Sequence, residues 1–314
     1  MVTGASTPAS ANTVAPESRS VRCGAISLHV REWMPSDTQE SPQSKLTRHL
    51  PIVLVHGLAS NARLWDGAAM SLAGKGYRVV AIDQRGHGLS DKPDGGYDML
   101  TVVNDLSSLI VAMQLDRPVV AGQSWGGNVV VELANRHPEL VSGVCAVDGG
   151  LIQLVDRFPD WETCAKLLAP PQLTGTRASD FERMIRNAYS DWPETAILGT
   201  LANMEVLSDG TIRPWLSRER HMQVLRGLWD HRPREVVNSL RRPVLFTPAD
   251  GNDRPAGASD ARGIRKREEY DAVVSGLEHV RVEWFSPAHH DLHAQFPQRW
   301  AQTLHTYIEN GFLT

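Results

Sequence analysis

The chain has 314 residues, 41% of them hydrophobic, enough to bury a large core either in one domain with an insertion or in two domains. With 32 Lys and Arg against 36 Asp and Glu, its net charge of −4 excludes the strongly basic footprint of a nucleic-acid binder. Three cysteines, Cys23, Cys145 and Cys164, have neither metal-type nor redox-type spacing, and their odd number suits a reducing cytoplasm, so they are read as inert packing residues.

Residues 1–20, rich in Ser, Thr, Ala and Pro, lack the basic start and apolar block of a signal peptide and are expected to form a disordered tail. No run approaches the roughly 20 apolar residues of a membrane span. Ile26, Leu28 and Val30 alternate with Ser27, His29 and Arg31, which predicts a hairpin at a sheet edge over 21–33, followed by a polar connection from Pro35 to His49. Pro51 to Val55 is a continuous apolar strand of the kind buried on both faces, and it ends in His56-Gly57-Leu58. A helix over 60–75, a buried strand from Tyr77 to Ile82, a Gly-rich turn from Asp83 to Ser90 and a helix over 101–114 come next. This alternation implies right-handed crossovers and a mainly parallel sheet.

Val119-Val120-Ala121-Gly122-Gln123-Ser124-Trp125-Gly126-Gly127-Asn128 then joins a β-branched run to G-x-S-x-G, and the pattern switches at once to helical spacing at Val130, Leu133, Ala134 and His137. That is a nucleophile elbow, a strand-to-helix turn that lifts Ser124 above the sheet edge and places the Trp125 N–H at a helix N-terminus, where an oxyanion is stabilised. Another strand, Val141 to Val147, ends at Asp148-Gly149-Gly150. Sheet periodicity is then lost from Leu151 to Arg234, a stretch with proline pairs, helical fragments and Trp161, Trp192, Trp215 and Trp229. It returns with a strand at Pro243 to Thr247, a helix over 259–276 whose Arg262-to-Arg267 piece reads as a solvated face, a strand at Val280 to Phe285 and a last helix over 295–310. A core over 21–150 and 236–314 with an insertion at 151–235 is therefore expected.

Taken in order, the His56-Gly57 turn, the Asp83-to-Ser90 turn, the Ser124 elbow and the Ser286-Pro287-Ala288-His289-His290 turn resemble the α/β-hydrolase superfamily over residues 21–310. The resemblance implies an α/β fold with an eight-stranded, mostly parallel sheet and a helical cap inserted after the sixth strand. It also implies an oxyanion hole made by the N–H groups of Leu58 and Trp125, a bracing role for His56 and a structural role for the Asp83-to-Ser90 turn. In this family the catalytic His stands seven positions before a Pro, which selects His290, with Pro297, over its neighbours His289 and His293. The latter two are expected in surface or supporting polar packing.

The third member of a Ser-His-Asp triad orients the imidazole and stabilises its cation, and two residues satisfy the chain order Ser, acid, His. Asp250 follows the strand after the insertion, where most family members keep their acid. The usual spacing from the strand's opening Pro243 falls on Asn252, however, with Asp250 early and Asp253 late. Asp148 follows the sixth strand, a position used by a minority that includes some haloalkane dehalogenases and fungal zearalenone lactonases. Asp148 is preferred and Asp250 is the alternative.

The resulting expectation is a serine hydrolase that opens a hydrophobic ester or lactone, a macrocyclic lactone of the zearalenone kind included, with no cofactor or metal. A serine nucleophile argues against dehalogenase and epoxide-hydrolase chemistry, for which this fold carries Asp. A carbon–carbon bond hydrolase and a hydrolase-fold ligand receptor are the competing readings. The four tryptophans with Leu167, Leu168, Ile197, Leu198, Leu201 and Met204 suggest a deep apolar pocket. Small hydrophobic molecules, not nucleic acid or membrane, are the expected partners, and homo-oligomer formation is left open.

Overall fold

The computed structural model describes residues 15–35, 50–251 and 260–314. Residues 1–14 of the expected tail, most of the polar connection before Leu50, and Asn252 and Asp253 lie outside the described residues.

Four or five β-branched and small apolar residues in a row make strands that need cover on both faces. Those runs become β3 (Ile52–Val55), β4 (Val79–Ile82), β5 (Val119–Gln123), β6 (Gly143–Val147) and β9 (Val244–Thr247), buried at every position. With β1 (Glu17–Cys23), β2 (Ile26–Trp33) and β10 (Val280–Val282) they form one eight-stranded sheet in the order β1-β2-β4-β3-β5-β6-β9-β10. Only the β1–β2 and β2–β4 pairs are antiparallel.

Period-two alternation in β3 sends Ile52 and Leu54 to one face, where they meet α1 (Asp66–Ala73) and a late C-terminal helix, Pro297–Glu309. Val53 and Val55 face the other way, onto α2 (Met99–Ala112) and α3 (Trp125–Arg136). The strand order reverses direction at β3, so the C-terminal ends of β3 and β5 open a crevice in which side chains from several loops converge.

The first hairpin starts earlier than its hydrophobic pattern suggests. Glu17 to Ser20, inside the stretch expected to be a tail, pair with His29 to Glu32, and Arg19 donates to Glu32 at 2.8 Å while Ser18 meets His29 at 2.7 Å. An edge strand needs ladder partners but little apolar surface, so polarity hid these four residues.

Between β6 and β9 the chain forms α4 (Trp161–Leu167), α5 (Ala178–Ala188), α6 (Glu194–Leu201), α7 (Arg218–Asp230) and α8 (Pro233–Val237). The insertion is not wholly helical: β7 (Met204–Val206) and β8 (Ile212–Pro214) form an antiparallel ribbon around Asp209-Gly210. Ile212 from that ribbon packs with Phe181, Ile185 and Ile197 in a small core of its own. After β9 come α9 (Asp260–Val274), α10 (Leu292–Gln295) and α11 (Pro297–Glu309). Cys23, Cys145 and Cys164 are free and buried, and burial pushes the Cys145 thiol up to about 12. Among the described residues no helix is long and apolar enough to cross a membrane.

One buried polar network ties the insertion to the core. Asn128, in the first turn of α3, donates to the Ile152 carbonyl at 2.8 Å, accepts from Gly150 N–H at 3.0 Å, and meets His231 Nδ1 at 3.1 Å. The other ring nitrogen of His231 meets Glu132 at 3.0 Å. Burial would raise the Glu132 pKa, but His231 and Arg136 together hold it below its ordinary value. Loss of the amide strands several buried backbone groups at once, so Asn128→Ala should cost about 2–3 kcal/mol in a urea unfolding series. A variant as stable as the parent would show that the network contributes nothing.

Candidate active site

Ser124 sits at φ 54°, ψ −120°, a left-handed backbone that a non-glycine residue adopts only when its surroundings impose it. The surroundings here are backbone. A Cβ on Gly122 would collide with the Gly126 carbonyl, and one on Gly126 would lie 2.5 Å from the His56 carbonyl oxygen. Only glycines allow β5 and α3 to close this tightly, and the closure turns Ser124 out of the sheet. Ser124 is half-buried, and among the described residues no hydrogen bond joins its hydroxyl to His290. Catalytic hydrogen bonds in ligand-free sites are commonly long and tighten on substrate binding.

The loop after β3 faces the elbow. His56 is fully buried; its Nε2 accepts from Gln84 N–H at 3.0 Å, so Nδ1 carries the proton and donates to the Gly57 carbonyl at 2.7 Å. Burial lowers its pKa and keeps it neutral. The Asp83-to-Ser90 turn supports the same loop: His87 accepts from Ala59 N–H at 3.3 Å, and Asp83 accepts from Ala62 and Leu89 N–H at 2.7 and 2.9 Å. Burial opposes the Asp83 charge, but these bonds and His29 hold its pKa at about 2. The N–H groups of Leu58 and Trp125 have no acceptor among the described residues.

His290 and Asp148 meet directly, with Nδ1 and Oδ2 2.5 Å apart. The carboxylate is buried, while the imidazole side chain keeps 46% of its surface open. Asp148 sits at φ 42° immediately after β6, its N–H bonded to the Thr247 carbonyl at 3.0 Å. Gly149 follows against the Ser124 backbone, so closely that any side chain there would strike the Ser124 carbonyl. Burial would raise the Asp148 pKa, yet His290 and Lys266 hold it at about 2. For His290 burial works toward a lower pKa, and the hydrogen bond and charge of Asp148 outweigh it, so the ring sits above its ordinary value.

Asp250 has other partners. It accepts from the Ser286 hydroxyl and, at 3.3 Å, from Ala288 N–H, and so buttresses the turn that carries His290. Gln123 also holds that turn, donating to the His290 carbonyl at 3.3 Å.

Of the two neighbouring histidines, His289 is half-buried and accepts from Asp291 N–H at 3.2 Å, a polar setting, whereas His293 departs from the surface or polar packing expected of it. His293 is neither on the surface nor in polar packing: it is fully buried against Trp65, with ring centroids 4.0 Å apart, neither nitrogen has a partner among the described residues, and burial lowers its pKa to about 3. His289 packs edge-on against Tyr189 and Trp192 of the insertion.

Two cavities lie near these groups. One, of about 460 Å³, borders Asp148 and His290 and is lined also by Arg157, Arg234, Lys266 and Tyr270. The other, of about 370 Å³, runs from Ala59 and Ser60 to Pro170, Leu173, Met204 and Trp215 in the insertion. Of the four tryptophans expected to line a pocket, Trp215 borders the second cavity; Trp161 and Trp229 pack edge-on against each other, and Trp192 lies on Tyr189. Ile197 belongs to the insertion's own core, and Leu167, Leu168 and Leu198 are exposed.

Sequence reasoning missed Lys266, Tyr270 and Asn128. Lys266 lay hidden in an Arg-rich piece read as solvated. Its signal is that it stands one helical turn before Tyr270, a buried aromatic that fixes which face of α9 turns inward.

The sheet order agrees with the comparisons. The family model for the alpha/beta hydrolase fold matches residues 51–199. Among solved structures, E-2-(acetamidomethylene)succinate hydrolase superposes with a TM-score of 0.71 over 94% of this chain and 99% of the other, at 24% identity. The chain has the α/β-hydrolase fold. An esterase from Exiguobacterium antarcticum shares this hydrolase fold at a TM-score of 0.65 and 19% identity, over 92% and 98% of the two chains. In sequence the chain is 28% identical to 2-(acetamidomethylene)succinate hydrolase of Mesorhizobium japonicum over 267 residues, 83% of this chain and 88% of that protein.

The two carboxylates of this hydrolase fold are separable by experiment. Asn in place of a triad Asp keeps the shape and fixes the wrong imidazole tautomer, which in a serine protease costs about 10⁴ in kcat. Asp148→Asn is expected to lose roughly three to four orders of magnitude in kcat, and Asp250→Asn under tenfold, with folding of both checked by thermal melts. A dead, folded Asp250→Asn beside an active Asp148→Asn would reverse the assignment.

Proposed function

We propose that the protein is a serine hydrolase acting on hydrophobic carboxylic esters or lactones through an acyl-enzyme. Ser124 attacks the carbonyl while neutral His290 takes its proton; the Leu58 and Trp125 N–H groups receive the oxyanion; His290 returns the proton to the leaving oxygen and then activates water. Asp148 holds the ring tautomer that leaves Nε2 free to accept. Each oxyanion donor is worth about 10²–10³ in kcat in a comparable site. The single observation that carries the reading is the His290–Asp148 hydrogen bond at 2.5 Å beside a serine held in the elbow conformation.

The substrate class rests on the cavity of about 370 Å³, whose apolar wall of Pro170, Leu173, Met204 and Trp215 begins at Ala59, next to Leu58. A lactone is an internal ester and opens by the same steps, so a macrocyclic lactone is one member of the class. One observation favours a second reading, an acid-bearing substrate: Arg157, exposed and without an ion-pair partner among the described residues, lines the cavity that borders His290. The name of the Mesorhizobium japonicum relative, a substituted succinate hydrolase, points the same way.

Two measurements test the proposal. In a screen of neutral aryl and alkyl esters, lactones and carboxylate-bearing amides and esters, neutral hydrophobic esters should be cleaved at least about tenfold faster in kcat/KM than acetate esters, and Ser124→Ala should abolish turnover. Cleavage of carboxylate-bearing compounds alone would favour the second reading, and undiminished turnover by Ser124→Ala would sink both. Because the working base is neutral and its pKa is raised, kcat/KM should fall as pH drops through an apparent pKa above 6.5 and level off on the alkaline side. A profile flat from about pH 5 to 9 would remove His290 as the base.

A further inference from the structure

The triad chemistry accounts for one oxygen of Asp148 and leaves the other to be explained. Oδ2 faces His290; Oδ1 accepts from Ala249 N–H at 2.8 Å and from the ammonium of Lys266. Lys266 also donates to the Ala249 carbonyl at 2.8 Å, so its Nζ bridges the ends of β6 and β9. One helical turn later, on the same face of α9, buried Tyr270 donates to the Gly149 carbonyl at 3.2 Å. Two side chains of one helix thus clamp consecutive residues of the strand end that carries the carboxylate. Ordering a lysine side chain against a buried carboxylate costs rotamer entropy and desolvation, which the Coulombic gain of a buried pair often does no more than offset. Folding stability alone gives weak reason for this contact.

Charge gives a better one. An Asp–His pair on its own favours the imidazolium, since the buried carboxylate then has its counter-charge, and a protonated ring cannot take the Ser124 proton. With Lys266 on Oδ1 the carboxylate is already neutralised, and a proton on His290 adds a net positive charge. The other charged groups around the ring do not substitute. From α8, Arg234 is paired with Asp156 at 3.0 Å and with Glu269 of α9 at 3.5 Å. Arg157 lines the same cavity, with no ion pair or hydrogen bond to Asp148 or His290 among the described residues, and Tyr270 stays protonated because burial raises its pKa. On the His290 turn, Asp291 favours the imidazolium, His289 meets Asp291 at 3.8 Å, and His293 is buried and neutral.

We propose that Lys266 is a positioning residue of the site: it fixes the Asp148 carboxylate with Oδ2 toward His290, and its charge offsets part of the pull of Asp148 toward the imidazolium, which favours the neutral, proton-accepting ring. The inference rests on the reading of His290 as the base, and its test is built to fail separately. The ring resonances of His290 are titrated by NMR in the Ser124→Ala background, with Lys266 intact and as Lys266→Met, Lys266→Gln and Lys266→Arg, and the same Lys266 variants are assayed for kcat/KM against pH with Ser124 present.

Removing the positive charge should raise the His290 pKa by about one unit, tenfold in its dissociation constant, in both Lys266→Met and Lys266→Gln, while Lys266→Arg stays near the parent. The acid limb of kcat/KM should move by the same amount, with the alkaline plateau held within about tenfold. An unmoved ring pKa in whichever of the two neutral variants folds overturns the proposal, as does a shift that Lys266→Arg shares. Because the ring titration needs no turnover, a moved pKa without hydrolysis would fault the proposed reaction, and hydrolysis with an unmoved pKa would fault only the role of Lys266.

Discussion

Backbone crowding around Ser124 is the constraint on which the site depends. The residue is held at positive φ because β5, the start of α3, the loop after β3 and the strand end after β6 approach within contact of one another, and they do so only where side chains are missing. Gly122, Gly126 and Gly149 are the points of approach. The same approach brings the Gly149 backbone against Ser124 and so carries Asp148, one residue earlier, toward Ser124. A methyl group at any of the three would open the elbow and move the acid with it. The strain is met by the core: β3, β5 and β6 are buried at every residue and cannot shift to relieve it.

Around that point the two carboxylates divide their work by geometry. Asp148 hands one oxygen to His290 and the other to Lys266 and Ala249 N–H, so its charge is shared between orienting the ring and anchoring two strand ends. Asp250, at the more usual position for an acid, is turned toward Ser286 and Ala288 and shapes the backbone before His290. Both of these bonds run to the turn that carries His290 and not to its ring. The spacing irregularity after Pro243 in the sequence has this as its structural counterpart.

Most of the fold was legible because its signals are local. Continuous apolar runs marked the buried strands, and G-x-S-x-G between a strand and a helix marked the elbow. What could not be read depended on contacts made across long sequence separations. Glu17 to Ser20 become a strand through ladder bonds to β2, which polar side chains do not announce. The β7–β8 ribbon has three residues a side, too few for periodicity to register. Trp161 and Trp229 look like pocket residues in composition and are packing residues in space. Lys266 was indistinguishable from the basic residues beside it in the sequence, since its partner Asp148 is 118 residues away.

The central claim is that Ser124 is a nucleophile activated by His290. The measurement that reaches it without a known substrate is covalent labelling by a fluorophosphonate, followed by mass spectrometry of the digested protein, in the parent and in His290→Asn. The account predicts one adduct, on the peptide containing Ser124, formed in the parent and slowed at least about a hundredfold when the base is removed. An unlabelled parent, an adduct on another residue, or labelling of Ser124 at the same rate without His290 would contradict it.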